Sequence, residues 1–115
     1  MRFLVMVKAN ADSEAGIGPS AEELGMMARF NDQLFAEGRI VFAEGLTPSS
    51  EGVRVLFEGD AEPKVIDGPF AETKELIAGV WLLNGESLED VVELMKRAPC
   101  FEAPRGVLEI RPIDG

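Results

Sequence analysis

Two short stretches, RFLVMVK at positions 2–8 and LIAGVWLL at positions 76–83, are apolar on both sides of a strand, and together they decide most of the architecture. Successive side chains of a strand point to opposite faces of its sheet. Phe3, Val5 and Val7 therefore oppose Leu4 and Met6, and Ile77, Gly79, Trp81 and Leu83 oppose Ala78, Val80 and Leu82. A sheet built on these strands needs cover on both faces.

Helical patterns that could supply the cover occur twice. Ser20 followed by Glu23 fits a capping box, in which the hydroxyl takes an orphan amide and the carboxylate reaches back to the cap amide. Leu24, Met27, Phe30, Leu34 and Phe35 then recur at three- and four-residue steps, and Gly38 is placed to end the helix in a left-handed conformation. The Met and Phe stripe reads as core rather than as a cofactor groove. SLEDVVELMKRAP is the second helix, with Ser87 as cap, acids in its first turn, Lys96 and Arg97 in its last, and Pro99 as its stop.

The remaining segments are short. NADSEAGIGPS reads as a loop; IVFAEGL and VRVLFEG read as strands joined by TPSSEG into a hairpin; KVID is a short strand, and GVLEIRPID closes the chain as another. Helices separated by paired strands suggest the ferredoxin-like α+β plan, with two helices on one face of a largely antiparallel sheet. Two helices cover one face only. The economical cover for the other is the same face of a second subunit, so a homodimer is expected.

Composition limits the function classes. A chain of 115 residues with 46% apolar content suits a single domain spanning 1–115. Eleven basic against twenty-one acidic residues give a net charge of −10, which disfavours nucleic acid and anionic membrane surfaces as partners. The opening MRFLVMVK is too short and too quickly polar for a signal peptide, and Cys100 stands alone, so a cytoplasmic location is expected. Without a His or a second Cys beside it, Cys100 reads as a small buried residue rather than a nucleophile.

DGPFAETKE, positions 67–75, is the stretch most like a site. Pro69 fixes its own backbone and pushes Gly68 out of the helical region, so the turn is stiff. Asp67 either accepts amide hydrogens of Gly68 or Phe70 as part of the turn, or turns its carboxylate to a substrate as acid, base or anchor. Glu44, at a strand end beside Gly45 and close to Pro48, reads as a solvated edge acid or as a second wall of a cleft. With no His, no Tyr and one Cys, the chain holds no complete nucleophile and base set. Asp67, Glu44 and Glu72 could offer hard oxygen ligands, but nothing points to zinc or copper and no metal or cofactor is assigned.

VIDGPFAETKELIAGVWLL, with FAEGLTPSSEGVRV before it and LEIRPI at the end, resembles the YCII-related family, in the branch named for its DGPF motif. The resemblance covers nearly the whole chain. It implies a ferredoxin-like fold and dimers whose sheets pack into an α/β barrel. It also implies that Asp67, Gly68, Pro69, Phe70, Glu72, Lys74 and Glu75, with Glu44, Gly45 and Pro48, form a pocket segment. The broader family is regarded as enzymatic through a His–Asp pair; Asp67 falls where the motif's Asp lies, but this chain has no His, so that pair cannot operate. Some relatives are encoded beside extracytoplasmic-function sigma factors, which implies a regulatory setting.

Three functions follow as expectations. One is a dimeric domain that binds a small organic molecule at the DGPF rim, in a sensing or accessory role. The second is a proton-transfer enzyme with Asp67 as acid or base, assisted by Lys74 or Glu44. The third is a protein-interaction partner in transcriptional regulation, presenting an acidic surface.

Overall fold

The computed structural model describes residues 1–99 and 106–115. In chain order the elements are β1 (Arg2–Lys8), α1 (Ala11–Glu14), α2 (Ala21–Ala36), β2 (Ile40–Gly45), β3 (Val53–Leu56), β4 (Lys64–Asp67), β5 (Ile77–Asn84), α3 (Leu88–Met95) and β6 (Leu108–Pro112). Single 3-10 turns occupy Ser49–Glu51 and Thr73–Glu75.

Four strands make one antiparallel sheet in the order β2-β5-β1-β6. Counting only these strands, the sequence runs β-α-β-β-α-β, the ferredoxin-like arrangement. The two strands apolar on both sides sit in the middle, where both faces are most shielded. Val5 is paired with Trp81 on one side and with Ile110 on the other.

One face of the sheet carries the core. Phe3, Val5, Trp81 and Leu83 meet Phe30 and Leu34 of α2 and Val91, Leu94 and Met95 of α3, all buried. Each such side chain contributes roughly 1.5–3 kcal/mol by leaving water. The Phe30 ring stands edge-on to the Trp81 indole, with centroids 6.3 Å apart and planes at 86°. The opposite face presents Leu4, Met6, Val80 and Leu82, half-buried among themselves, with Phe42 exposed beside them.

The helix starts follow their sequence signals. Ser20 Oγ accepts from the Glu23 amide at 3.1 Å while Glu23 Oε1 accepts from the Ser20 amide at 2.9 Å. Ser87 Oγ caps α3 through the Asp90 amide, and Gly38 has the left-handed φ of 69° that ends α2. Phe35 does not join the stripe: it is exposed, because it lies a quarter-turn away from the row that continues from Phe30 to Leu34.

Two expectations are corrected. IVFAEGL and VRVLFEG do not pair with each other; β2 pairs with β5, and β3 pairs with β4 as a separate two-stranded ribbon. The physical reason is burial. Against β5, β2 lays Ile40 and Ala43 on the core, a gain that a local hairpin with the exposed VRVL segment could not match. The stretch NADSEAGIGPS is not wholly loop either. Asn10 and Ser13 form a capping box at the start of α1: Asn10 Oδ1 accepts from the Ser13 amide at 2.8 Å and Ser13 Oγ from the Asn10 amide at 2.9 Å. The third helix is thus a single turn written entirely in capping residues, with no apolar period to reveal it.

The reading of Cys100 falls outside the described residues. No helix among the described residues is long and apolar enough to cross a membrane.

Candidate functional site

The DGPF turn closes the inner end of the β3–β4 ribbon. Asp67 is the last residue of β4, paired with Val53 and exposed. The two amides its carboxylate was expected to take are occupied by other groups. Gly68 N–H donates to the Gly52 carbonyl at 3.0 Å, and Phe70 N–H donates to Ser49 Oγ at 3.1 Å. Among the described residues the Asp67 carboxylate has no hydrogen-bond or ion-pair partner.

Ser49 is the hub of this region. Its amide and its hydroxyl both donate to the Glu14 carboxylate at the end of α1, at 3.0 and 2.5 Å. Its carbonyl lies against Gly68 so closely that a Cβ on Gly68 would stand 1.8 Å from the oxygen. Only a residue without a side chain fits there. The peptide between Gly68 and Pro69 is cis. Phe70 is half-buried, with the Arg54 guanidinium 3.8 Å above its ring centroid, a cation–π contact that ties the turn to the ribbon. Glu72, Lys74 and Glu75 follow at the surface around the 3-10 turn, all exposed.

The principal cavity lies elsewhere. It has a volume of about 650 Å³ and opens between the sheet, α2 and the segment that carries α1. Its floor follows from the strand register. Gly45 and Gly79 face each other across β2 and β5, and Ala43 faces Trp81 in the next pair. All four belong to the helix-side face, because Trp81 does and opposed residues share a face. Gly45 leaves open space above the sheet, whereas Gly79 is buried, with Val7 Cγ2 3.7 Å from where its Cβ would stand.

Met27 and Asn31, one turn apart on α2, look down on this floor, and Trp81 closes one end. The Trp81 indole N–H donates to Asn31 Oδ1 at 2.8 Å. Asn10, Ser13 and Pro19 contribute the wall on the α1 side. Of the site residues expected from the sequence, Glu44 lines the cavity together with its neighbours Gly45 and Pro48. Asp67, Gly68, Pro69, Phe70, Glu72 and Lys74 do not line it. Glu44 is exposed, and its partner Val80 belongs to the face away from the helices, so its contribution is at the sheet edge.

The two regions are joined through Glu14. It ends the helix that carries the cavity wall, and its carboxylate holds Ser49, which in turn holds the DGPF turn. Glu44, Asp67 and Glu72 are not gathered into an oxygen cluster: among the described residues no group of three or more acidic or sulfur side chains could hold a metal ion.

Asn31, Trp81 and Gly79 are the site residues that the sequence did not disclose. Trp81 and Gly79 read as ordinary members of an apolar strand, and nothing in the sequence sets Asn31 apart from the other polar residues of its helix. What marks them is the pairing of β2 with β5, which becomes visible only in the folded chain.

Comparison with known proteins agrees with this fold. A solved structure of 5-chloro-2-hydroxyhydroquinone dehydrochlorinase from Burkholderia phenoliruptrix AC1100, in complex with 2,5-dihydroxybenzoquinone, superposes with a TM-score of 0.52. It covers 100% of this chain and 96% of its own at 14% sequence identity. An uncharacterised protein of Rhizobium meliloti (strain 1021) is 36% identical over 52 residues, which is 45% of this chain. The match spans less than half of that relative, 42% of its length. The sequence profile of the YCII-related domain matches residues 1–114, nearly the full chain, and the protein belongs to the YCII-related domain family.

Proposed function

We propose that this domain, of the DGPF branch and with residues 1–115 as its single unit, binds a small organic molecule in the cavity beneath α2. The observation that carries the reading is the open space above Gly45, part of a volume of about 650 Å³. That volume is within the range of ligand sites, and the mixture of Met27, Trp81 and Leu46 with a few fixed polar groups is their usual chemistry. The Burkholderia neighbour, which shares the fold, was solved with a small ring compound bound, and this favours an occupant of similar size.

The domain acts as a homodimer in this reading. Leu4, Met6, Val80 and Leu82 form a contiguous apolar face opposite the helices, and a second copy of the same face is its natural cover. The setting is cytoplasmic and the role one of sensing or accessory binding. Proton transfer by Asp67 has less support, because its carboxylate stands in solvent at the ribbon end, outside the cavity.

Gly45 offers a direct test. A Cβ there meets nothing within 4 Å and the backbone is not left-handed, so Gly45→Leu fills the cavity without crowding the protein. Ligand-observed NMR against a library of small uncharged ring compounds should find binders of the wild type that the Leu variant loses while it keeps the wild-type Tm. Binders retained by the folded variant would place the ligand elsewhere. Sedimentation at micromolar concentration checks the dimer, which a monomeric mass would refute.

A further inference from the structure

We infer that Asn31 is the group that selects the ligand, and that the cavity takes an uncharged, flat ring molecule presenting a hydrogen-bond acceptor oxygen, a carbonyl above all. This rests on the reading that the cavity is a binding site. Trp81 fixes the orientation of Asn31. An indole N–H can only donate, so the atom of Asn31 that faces it at 2.8 Å must be the amide oxygen. The amide group is planar, and fixing its oxygen fixes its NH2 as well. Asn31 lines the cavity and its NH2 bonds to no described residue, so what it offers an occupant is a donor of set direction.

Several polar atoms around the cavity are engaged at helix starts. Asn10 Oδ1 holds the Ser13 amide, Ser13 Oγ holds the Asn10 amide, and Glu23 Oε1 holds the Ser20 amide. They complete helix starts. Asn10 keeps an NH2 without a described partner on the α1 wall, and Asn31 is the amide whose direction is set from the sheet, by Trp81.

The occupant's charge and shape follow from the remaining lining. Asp12, Glu23 and Glu44 lie among the lining residues and repel an anion. A cation would be drawn to those carboxylates and away from the Asn31 NH2, which calls for an acceptor. An uncharged acceptor suits both conditions. A ring fits the open part of the floor: the space above Gly45 holds no side chain, and Trp81 and Asn31 line the same cavity beside it.

Asn31→Asp tests the assignment because it keeps one half of the interaction and reverses the other. A carboxylate still accepts the Trp81 N–H, so the fold is held, but the donor toward the cavity becomes an acceptor. The probes are acetophenone, which only accepts, toluene, which does neither, and aniline, which donates, each titrated by ligand-observed NMR. The wild type should prefer acetophenone to toluene by about threefold to tenfold. In Asn31→Asp that preference should vanish and aniline should gain on acetophenone by about tenfold. Trp81→Phe serves if the Asp variant does not fold. It releases the amide to turn either way, and acetophenone and aniline should then bind within about twofold of each other. Unchanged preferences in either folded variant would overturn the role of Asn31 while leaving the cavity as the site. Binding of all three probes that survives Gly45→Leu would overturn the cavity itself, and the Asn31 assignment with it.

Discussion

Gly68 and Gly45 are both glycines at the edge of a strand, and they are glycines for opposite reasons. At Gly68 a side chain has nowhere to go, since the Ser49 carbonyl occupies the place a Cβ would take. At Gly45 a side chain would meet nothing, because the space above it is the cavity. The first glycine is demanded by crowding and the second leaves a vacancy. A stiff turn written DGPF draws the eye in a sequence, and it is the crowded site. The vacancy is written with the plainest residues in the chain and is the proposed ligand site.

The comparison can be broken by substitution. Gly68→Ala should have the largest effect, about 3 kcal/mol or more of stability, because the ribbon turn must move away from Ser49 to admit a methyl group. Urea unfolding followed by Trp81 fluorescence measures it. A loss below about 1 kcal/mol would mean that the turn is not as tight as its geometry indicates.

Ser49→Ala comes next, at about 1–3 kcal/mol. It removes the hydroxyl that bonds Glu14 and leaves the partly buried Phe70 amide without its acceptor. Hydrogen exchange should show faster exchange at Phe70 and in α1 together, since Glu14 connects them. Exchange confined to the turn would show that the two regions are not joined.

Gly45→Leu should change stability by less than about 1 kcal/mol, since it adds apolar surface to open space, yet abolish binding in the cavity. Asp67→Asn is the smallest. An exposed carboxylate without a partner among the described residues should tolerate the amide within about 0.5 kcal/mol and with unchanged ligand affinity. A loss of binding on Asp67→Asn, with the fold intact, would return the motif to the site.

These contrasts also show what a sequence of this kind discloses. The Ser20–Glu23 capping box, the Ser87 cap, the Gly38 stop and the apolar alternation in β1 and β5 are local signals, and the elements formed where they pointed. The pairing of β2 is not a local signal: nearness along the chain favours the VRVL partner while burial of Ile40 and Ala43 favours β5, and burial prevails. The motif itself was legible as a rigid turn. Its distance from the cavity was not, since that depends on an inserted ribbon carrying Asp67 and Phe70 away from the sheet. Asn31 and Trp81 meet from positions fifty residues apart, each unremarkable alone.

The ribbon is all exposed, with Val55 and Val65 more than half in solvent, and the radius of gyration of 16.0 Å exceeds the roughly 13 Å of a compact domain near this size. Its strands join residues a short loop apart, such as Leu56 and Lys64, whereas Val5 must find partners near the far end of the chain. Hairpins form in about 1–10 μs, while sheets of distant strands take on the order of milliseconds to seconds. The pairing of β3 with β4 can therefore be in place early in each folding event. The glycine floor exists only after β2 has crossed the whole ribbon insertion to reach β5. An occupant of the cavity thus has nothing to hold until that last pairing is made, so it should slow unfolding without hastening the fold.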